Sequence, residues 1–216
     1  MFRQKKSKMD EITFPLLAIS RLRMTTDGAG VTTLVAAAGC PLRCGWCLNP
    51  QSWNGAAKAE PVTPKTLYDR VKVDDLYFRT TGGGVTFGGG EPLLHADFIA
   101  AFRKICGVDW KIRAETSLNV PRTCVETAAC VDEFIVDIRD MNPTIYRAYT
   151  GCENTRVIEN LKRLLETVGA DRVLARVPRI PDYNTDADTD RSIDALRALG
   201  VKRFDRFNYI IRKPSE

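Results

Sequence analysis

The sequence predicts an α/β protein with the architecture of a partial (β/α)6 TIM-like open barrel. Segments rich in β-forming residues alternate with segments of helical period, which is the pattern of βα units around a parallel sheet. Six such units can be recognised in the 216 residues, whereas a closed barrel of eight units usually needs about 250 residues. We therefore expect an open barrel, with its chemistry at the carboxyl ends of the strands.

The first half of the chain supplies three of the six units. Strand-like runs occupy residues 31–37, 83–87 and 110–116. A helix is predicted over residues 64–73, because Pro64 stands at a favoured first-turn position. A second helix is predicted over residues 96–106, where the apolar side chains share one helical stripe, and a third over residues 121–131.

The second half repeats the pattern. Strands are predicted at residues 133–138, 172–177 and 203–211, and helices at residues 154–168 and 189–199. The helix at 154–168 has the clearest signal, since its apolar residues recur at i, i+3, i+4 and i+7 and Gly169 follows as a stop signal. We expect an N-terminal extension over residues 1–20 and one core domain over residues 21–216, with no helix after the last strand.

Composition and charge exclude several functional classes. Hydrophobic residues make up 44% and charged residues 27% of the chain, which is typical of a globular domain. The net charge of +5 is too small to indicate nucleic acid binding without a clustered basic patch. The aliphatic runs reach only about five residues, so no membrane span is predicted.

The cysteine content indicates reduced thiols. Seven cysteines are an odd number, which does not fit a disulfide framework. The N-terminus does not resemble a secretory signal, because Asp10, Glu11 and Pro15 interrupt the apolar stretch. We therefore expect a cytoplasmic protein that uses cysteines for metal binding or catalysis.

Three of the cysteines form a compact group directly after the first predicted strand. Cys40, Cys44 and Cys47 are spaced by four and three residues. Zinc usually takes four ligands, but no fourth cysteine is nearby and His95 is the one histidine of the chain. Three thiolates suit a [4Fe–4S] cluster in which one iron lacks a protein ligand. A zinc or redox site remains the alternative at this point.

Several other motifs accompany the three cysteines. In order they are residues 26–31 (TDGAGV), 49–50 (NP), 82–93 (GGGVTFGGGEPL), 115–117 (ETS), 137–139 (DIR) and 149–151 (YTG). With the cysteine spacing, they resemble the radical S-adenosylmethionine superfamily. Within it, the chain resembles the glycyl-radical-enzyme activating enzymes of the pyruvate formate-lyase activating enzyme group, over roughly residues 20–211.

The resemblance implies a role for each motif. Cys40, Cys44 and Cys47 would be the catalytic residues that bind the [4Fe–4S] cluster. The implied S-adenosylmethionine-binding residues are Trp46, Gly89, Gly90, Glu91, Glu115, Asp137, Arg139 and Arg176. Glu115, Thr116 and Asp137 would also hold a monovalent cation. The alternatives are a tight turn for the glycines, strand-end salt bridges for the acidic residues and a structural ion pair for Arg176.

Two of these positions have more specific implied contacts. Gly89, Gly90 and Glu91 would meet the amino group of the methionine moiety, because glycines let the backbone approach a ligand closely. Arg139 stands where the family commonly has a lysine that binds the methionine carboxylate, and its planar guanidinium would bind with a different geometry. The remaining four cysteines are expected to be structural thiols.

The implied function is radical chemistry on a protein partner. Reductive cleavage of S-adenosylmethionine would give methionine and a 5′-deoxyadenosyl radical, which removes a hydrogen atom from a backbone glycine of a glycyl radical enzyme. A flavodoxin or ferredoxin would supply the electron to a monomeric, anaerobic enzyme. Two alternatives stay open: a radical S-adenosylmethionine enzyme that modifies a small molecule or peptide, and a non-catalytic iron–sulfur electron-transfer or sensor protein.

Overall fold

The computed structural model describes residues 12–53 and 59–209, which form one mixed sheet of eight strands with helices packed against it. The strands are β1 (Phe14–Met24), β2 (Val31–Ala37), β3 (Glu60–Val62), β4 (Gly84–Gly89), β5 (Lys111–Thr116), β6 (Glu133–Asp137), β7 (Val173–Arg179) and β8 (Arg203–Asn208). Their order is β3-β1-β2-β4-β5-β6-β7-β8. Six strands are parallel, namely β2, β4, β5, β6, β7 and β8, whereas β1 and β3 pair in antiparallel fashion.

The helices alternate with the parallel strands. They are α1 (Pro64–Val71), α2 (Asp75–Thr81), α3 (Ala96–Cys106), α4 (Arg122–Thr127), α5 (Pro143–Thr150), α6 (Thr155–Val168) and α7 (Asp186–Ala198). Their apolar faces bury a continuous core against the sheet, in which Phe14, Phe87, Phe98 and Phe102 make edge-on or tilted ring contacts. Such contacts match the electrostatic preference of aromatic rings.

This architecture confirms the predicted open barrel of six parallel strands. The sheet does not close, since β3 and β8 are its two ends. The helix predicted at 96–106 has the predicted bounds, and the strand predicted at 203–211 is seen as far as Asn208, with residues 210–211 outside the described part. No helix in the described part of the chain is both long and apolar enough to cross a bilayer.

Four elements were not predicted: β1, β3, α2 and α5. The second half of β1 is largely exposed and contains Arg21, which forms a two-bond ion pair with the buried Asp74 carboxylate at 2.9 and 2.6 Å. Of α2, Phe78 is the one buried residue, so it lacks an apolar stripe. The boundary predicted between residues 20 and 21 falls inside β1, which pairs with β2 along its length.

The register of the parallel strands brings their carboxyl ends to one edge of the sheet. Ala37 pairs with Gly89, Thr116 with Val136 and Asp137 with Arg176. The segments that directly follow these strands carry most of the predicted site residues. They therefore converge on one end of the open barrel, where parallel βα folds place their chemistry.

Candidate active site

A cavity of about 460 Å³ lies at the carboxyl ends of the parallel strands. Most of the site residues predicted from the sequence line it: Cys40, Cys44, Cys47, Gly89, Gly90, Glu91, Glu115, Asp137, Arg139 and Arg176. Its volume falls within the range of small-molecule sites in proteins. The structure thus brings the cysteine group, the glycine turn and the charged strand ends together around one space.

The cysteine segment is held against α5 by its backbone. The amides of Arg43 and Gly45 donate to the carbonyl oxygens of Thr150 and Tyr149, each at 2.9 Å. A side chain at Gly45 would place its Cβ 2.4 Å from the hydroxyl oxygen of Tyr183, so any larger residue would require the Tyr183 ring to move. These contacts fix the segment between its first and last cysteine.

The three cysteines are free thiols in a sheltered environment. Burial raises the pKa of Cys40 to about 11 and also raises the pKa of Cys44, so both stay protonated until a metal replaces the protons. In the described ranges, no three His, Cys, Asp or Glu side chains could hold one metal ion together. A [4Fe–4S] cluster binds each thiolate to a different iron, so a wider set of three thiols fits it.

The Glu91 side chain is buried and connects the end of β4 to the end of β5 through hydrogen bonds. Its carboxylate accepts hydrogen bonds from the hydroxyl of Thr116 at 2.7 Å, from the hydroxyl and amide of Ser117 at 2.6 and 2.8 Å, and from the amide of Leu93 at 3.2 Å. Burial raises its pKa, which these hydrogen bonds oppose. The protein therefore already satisfies most of the acceptor capacity of this carboxylate.

The glycine turn after β4 packs directly on the segment that leads to Cys40. The amide of Gly90 donates to the carbonyl of Ala37 at 3.0 Å, and the amide of Glu91 donates to the carbonyl of Gly39 at 2.8 Å. A Cβ at position 90 would lie 2.3 Å from the Gly39 carbonyl oxygen. Gly90 is therefore required for this close packing as well as for access to the cavity.

Arg176 lies among three carboxylates in the lining. Its guanidinium is 3.3 Å from Glu115, 4.0 Å from Asp137 and 3.2 Å from Asp205, and it donates to the carbonyl oxygen of Thr26 at 2.8 Å. Asp205 was not predicted from the sequence. The feature that identifies Asp205 is the register of the sheet, which makes Arg176 and Asp205 direct neighbours on β7 and β8.

Arg139 is the second cation of the cavity. Its guanidinium donates to the Asp137 carboxylate at 3.0 Å, and its side chain is 17% exposed. Within the described part of the chain, its Nε atom is buried without a hydrogen-bond partner. A buried donor of this kind in a cavity wall is suited to an anionic ligand group.

Two predicted residues lie outside the cavity lining. Thr116 is 1% exposed, and its hydroxyl donates to Glu91 and accepts from the amide of Leu118 at 2.9 Å. The ring nitrogen of Trp46 donates to the carbonyl of Pro181 at 3.2 Å. The monovalent-cation site at Glu115, Thr116 and Asp137 therefore stays a prediction, because the Thr116 hydroxyl is already engaged and Arg176 contacts both carboxylates.

Strand β8 and the residue that follows it supply lining residues that the sequence did not reveal. Asp205, Phe207 and Tyr209 line the cavity at alternate positions, as the two-residue period of a strand requires. The hydroxyl of Tyr209 donates to the carbonyl of Trp46 at 2.6 Å. This bond ties the last strand to the cysteine segment.

The carboxyl group of Glu115 makes the stability of the cofactor-free protein depend on pH. Burial, and next the charge of Asp137, raise the pKa of Glu115 to about 7 from its ordinary value of 4.5. Between these values the folded chain keeps a proton that the unfolded chain has lost. The free energy of unfolding therefore falls as the pH rises through this window, by about 3 kcal/mol, and levels off above it.

Replacing Glu115 by glutamine is expected to remove this contribution. Urea unfolding of the cofactor-free wild type and Glu115→Gln, followed by circular dichroism from about pH 5 to pH 8 with tetramethylammonium as the buffer cation, gives the difference between their unfolding free energies. Subtracting the unfolding free energy of the variant from that of the wild type cancels the contributions of the other carboxylates. A difference that is flat, or that rises with pH, would contradict the raised pKa.

Comparison with known proteins identifies related chains. A family model described as the radical SAM superfamily matches residues 34–186. The Pyruvate formate-lyase 2-activating enzyme of Escherichia coli is 31% identical, over 82% of this chain and 71% of the relative. The Pyruvate formate-lyase-activating enzyme of Clostridium pasteurianum is 33% identical, over 84% of this chain and 82% of the relative.

A solved structure shares the fold. The crystal structure of Streptococcus suis SuiB bound to the precursor peptide SuiA matches with a TM-score of 0.61 and 19% identity. The match covers 85% of this chain but 42% of the other, so the chain spans about two fifths of that structure. At this identity the likeness concerns the fold alone.

Proposed function

The chain belongs to the radical SAM superfamily, among the activating enzymes of glycyl radical enzymes, and from this premise we propose that it generates a glycyl radical on a partner enzyme. It is an enzyme, and membership implies two cofactors, a [4Fe–4S] cluster and S-adenosylmethionine. The identity of the partner, the residues that bind each cofactor and the electron donor are parts of the proposal.

One observation carries the proposal: the three cysteine thiols, the Gly89–Gly90 turn and Arg139 line the same cavity. The donor set fits the two cofactors. Three thiols leave one iron of a cluster open, and a buried guanidinium with an unpaired Nε suits a carboxylate. When bound, the cluster supplies the electron for reductive cleavage of S-adenosylmethionine, and the nucleoside fragment removes a hydrogen atom from the substrate.

The residues of the chain hold and orient these groups. Cys40, Cys44 and Cys47 would hold the cluster, and Arg139 would bind the carboxylate of the methionine moiety. Asp137 positions Arg139 through their 3.0 Å ion pair. The backbone around Gly89 and Gly90 would accept the amino group, because no side chain covers it. Holding the reacting groups in a fixed geometry turns a slow bimolecular event into an oriented one.

Two acidic side chains of the cavity suit a ligand that carries a positive charge. Glu115 and Asp137 both line the cavity, and burial together with the charge of Asp137 raises the pKa of Glu115 to about 7. A sulfonium cation beside them would favour the ionised form of Glu115, which a neutral nucleoside would not do. The partly enclosed wall limits contact of reactive species with water.

The sequence supports the other parts of the proposal. The partner is a glycyl radical enzyme whose glycine-bearing segment reaches the cavity, and a flavodoxin or ferredoxin is the electron donor. The enzyme acts as a monomer in the cytoplasm. The free state of all seven cysteines supports a reducing compartment.

The test measures 5′-deoxyadenosine from reconstituted protein, dithionite and S-adenosylmethionine, with and without purified pyruvate formate-lyase. We expect slow formation by the protein alone and a marked increase with the partner, together with activation of the partner. Cleavage without any effect on glycyl radical enzymes would indicate a small-molecule or peptide substrate. A loaded cluster without cleavage would indicate an electron-transfer or sensor protein.

A further inference from the structure

Unsatisfied polar atoms are concentrated near the cysteine segment. Within residues 12–53 and 59–209, five buried side-chain nitrogen or oxygen atoms have no hydrogen-bond partner: Ser52 Oγ, Arg113 Nη1, Arg139 Nε, Tyr146 Oη and Tyr149 Oη. Arg139 and Ser52 line the cavity. Tyr146 and Tyr149 are each 1% exposed and belong to α5, the helix that receives the backbone of the cysteine segment.

Tyr149 is packed among the cysteines themselves. Its side chain forms a small apolar cluster with Leu42, Cys44 and Ile180, and Cys40 and Cys47 pack against that cluster. The ring of Tyr183 closes the other side at a centroid distance of 4.9 Å. The Tyr149 side chain is therefore buried against the three cysteines, and its hydroxyl, which neighbours the side chain of Tyr209, has no hydrogen-bond partner within the described residues.

Tyr146 lies one helical turn before Tyr149, so the two side chains share one face of α5. The hydroxyl of a tyrosine has an ordinary pKa of about 10, so both side chains are protonated at neutral pH and can donate. A buried hydroxyl without a partner destabilises a fold, so a donor retained there indicates an acceptor in the working protein.

The acceptors that the proposed cofactor brings to this place are sulfur atoms. Hydrogen bonds to the sulfurs of an iron–sulfur cluster are one of the factors that set its reduction potential. We propose that Tyr149, assisted by Tyr146, donates a hydrogen bond to a sulfur atom of the cluster held by Cys40, Cys44 and Cys47, and thereby raises the reduction potential of that cluster. This inference rests on the cluster assignment of the proposed function and is independent of the partner.

The direction of the effect follows from charge. Reduction adds one electron to the cluster and no proton, so the reduced form is the more negative one. An O–H dipole directed at sulfur stabilises that form more than the oxidised form. Removing the hydroxyl is therefore expected to make reduction harder, while Arg139 continues to contribute its charge.

The test uses Tyr149→Phe, Tyr146→Phe and the double variant, with Tyr68→Phe as the control. Tyr68 is a partly buried tyrosine that stacks on Trp110 at 5.2 Å, away from the cysteines. Each cofactor-free protein is unfolded with urea, and each reconstituted protein is titrated with reductant while electron paramagnetic resonance follows the reduced cluster.

The expected signature is a lower reduction potential in the loaded protein without any loss of stability in the cofactor-free protein. Without cofactors, loss of an unpaired hydroxyl leaves stability unchanged or increases it. With the cluster, the double variant keeps its iron and its reduction equilibrium falls about ten-fold, which corresponds to about 59 mV for one electron. The Tyr68→Phe control keeps the wild-type potential.

Two results with loaded variants would overturn the inference, and a third would do so if Tyr149→Phe loses its cluster. One is a loaded double variant whose potential equals that of the wild type, and the other is an equal shift in Tyr68→Phe. If Tyr149→Phe loses its iron, Tyr146→Phe still reports the potential, and an unchanged value there rejects the proposal. Failure of the proposed function is distinguishable, since it shows as absent S-adenosylmethionine cleavage or as a wild type that binds no cluster.

Discussion

Replacing Cys44 by alanine is expected to abolish cluster binding and all turnover. Cys44 is the buried member of the three thiols and lies at the centre of the segment held against α5. In this variant the cluster would have two protein thiolates and two irons without a protein ligand. It would lose one of its three bonds to the protein, and its iron could exchange with the solvent. Iron analysis after anaerobic reconstitution should fall from about four atoms per chain to near zero.

Cys152 provides the matched control for this variant. It is a partly buried thiol beside the same segment, and its sulfur donates to the carbonyl of Pro41 at 3.8 Å. Cys152→Ala should keep about four irons, and so should a variant that also lacks Cys106, Cys124 and Cys130. Four irons retained in Cys44→Ala would refute the assignment of the triad, and loss of iron in Cys152→Ala would extend the ligand set.

Replacing Arg139 by alanine is expected to weaken binding of S-adenosylmethionine about ten-fold or more without removing iron. The side chain is the buried cation of the cavity wall that has an unpaired Nε. A buried hydrogen bond to a charged group contributes about 1.5–3 kcal/mol, which corresponds to at least ten-fold in affinity. Equilibrium binding to the reconstituted protein measures the effect.

Two further variants show whether the effect comes from the charge of Arg139 or from its orientation. Arg139→Lys keeps the charge and should recover part of the affinity, although a point charge cannot reproduce a planar fork. Asp137→Ala removes the partner that orients Arg139 at 3.0 Å and should also weaken binding. The exposed Arg191 offers an arginine-to-alanine control far less buried than Arg139. Affinity unchanged in both Arg139→Ala and Asp137→Ala would reject the cavity as the cofactor site.

The parallel strands could be predicted because each is a short buried run with a local pattern. Strand β1 could not, since its second half is exposed and it is held by antiparallel pairing with β2 and β3, which a local pattern does not show. Helix α5 is capped by Asn142, whose side chain accepts from the amide of Thr144, and the few buried residues of the helix give no long stripe. Elements stabilised by tertiary contacts leave a weak mark on local sequence.

The site residues also differ in how far the local sequence predicts them. The spacing of the cysteines and the glycine turn are local features, and the sequence alone was enough to place them in one site. Asp205 depends on the register between β7 and β8, and the engagement of Thr116 with Glu91 depends on the junction of β4 and β5. Pairings of this kind join distant parts of the chain, so single-sequence patterns do not reveal them.

The central claim, formation of a glycyl radical on a partner enzyme, is tested most directly by electron paramagnetic resonance of that partner. Pyruvate formate-lyase is incubated anaerobically with the reduced protein and S-adenosylmethionine. We predict a carbon-centred doublet, because a glycyl radical keeps one α-hydrogen, and collapse of the splitting when the partner carries α-deuterated glycine. Full cleavage of S-adenosylmethionine with no doublet, or a signal that deuterated glycine leaves unchanged, would contradict the account.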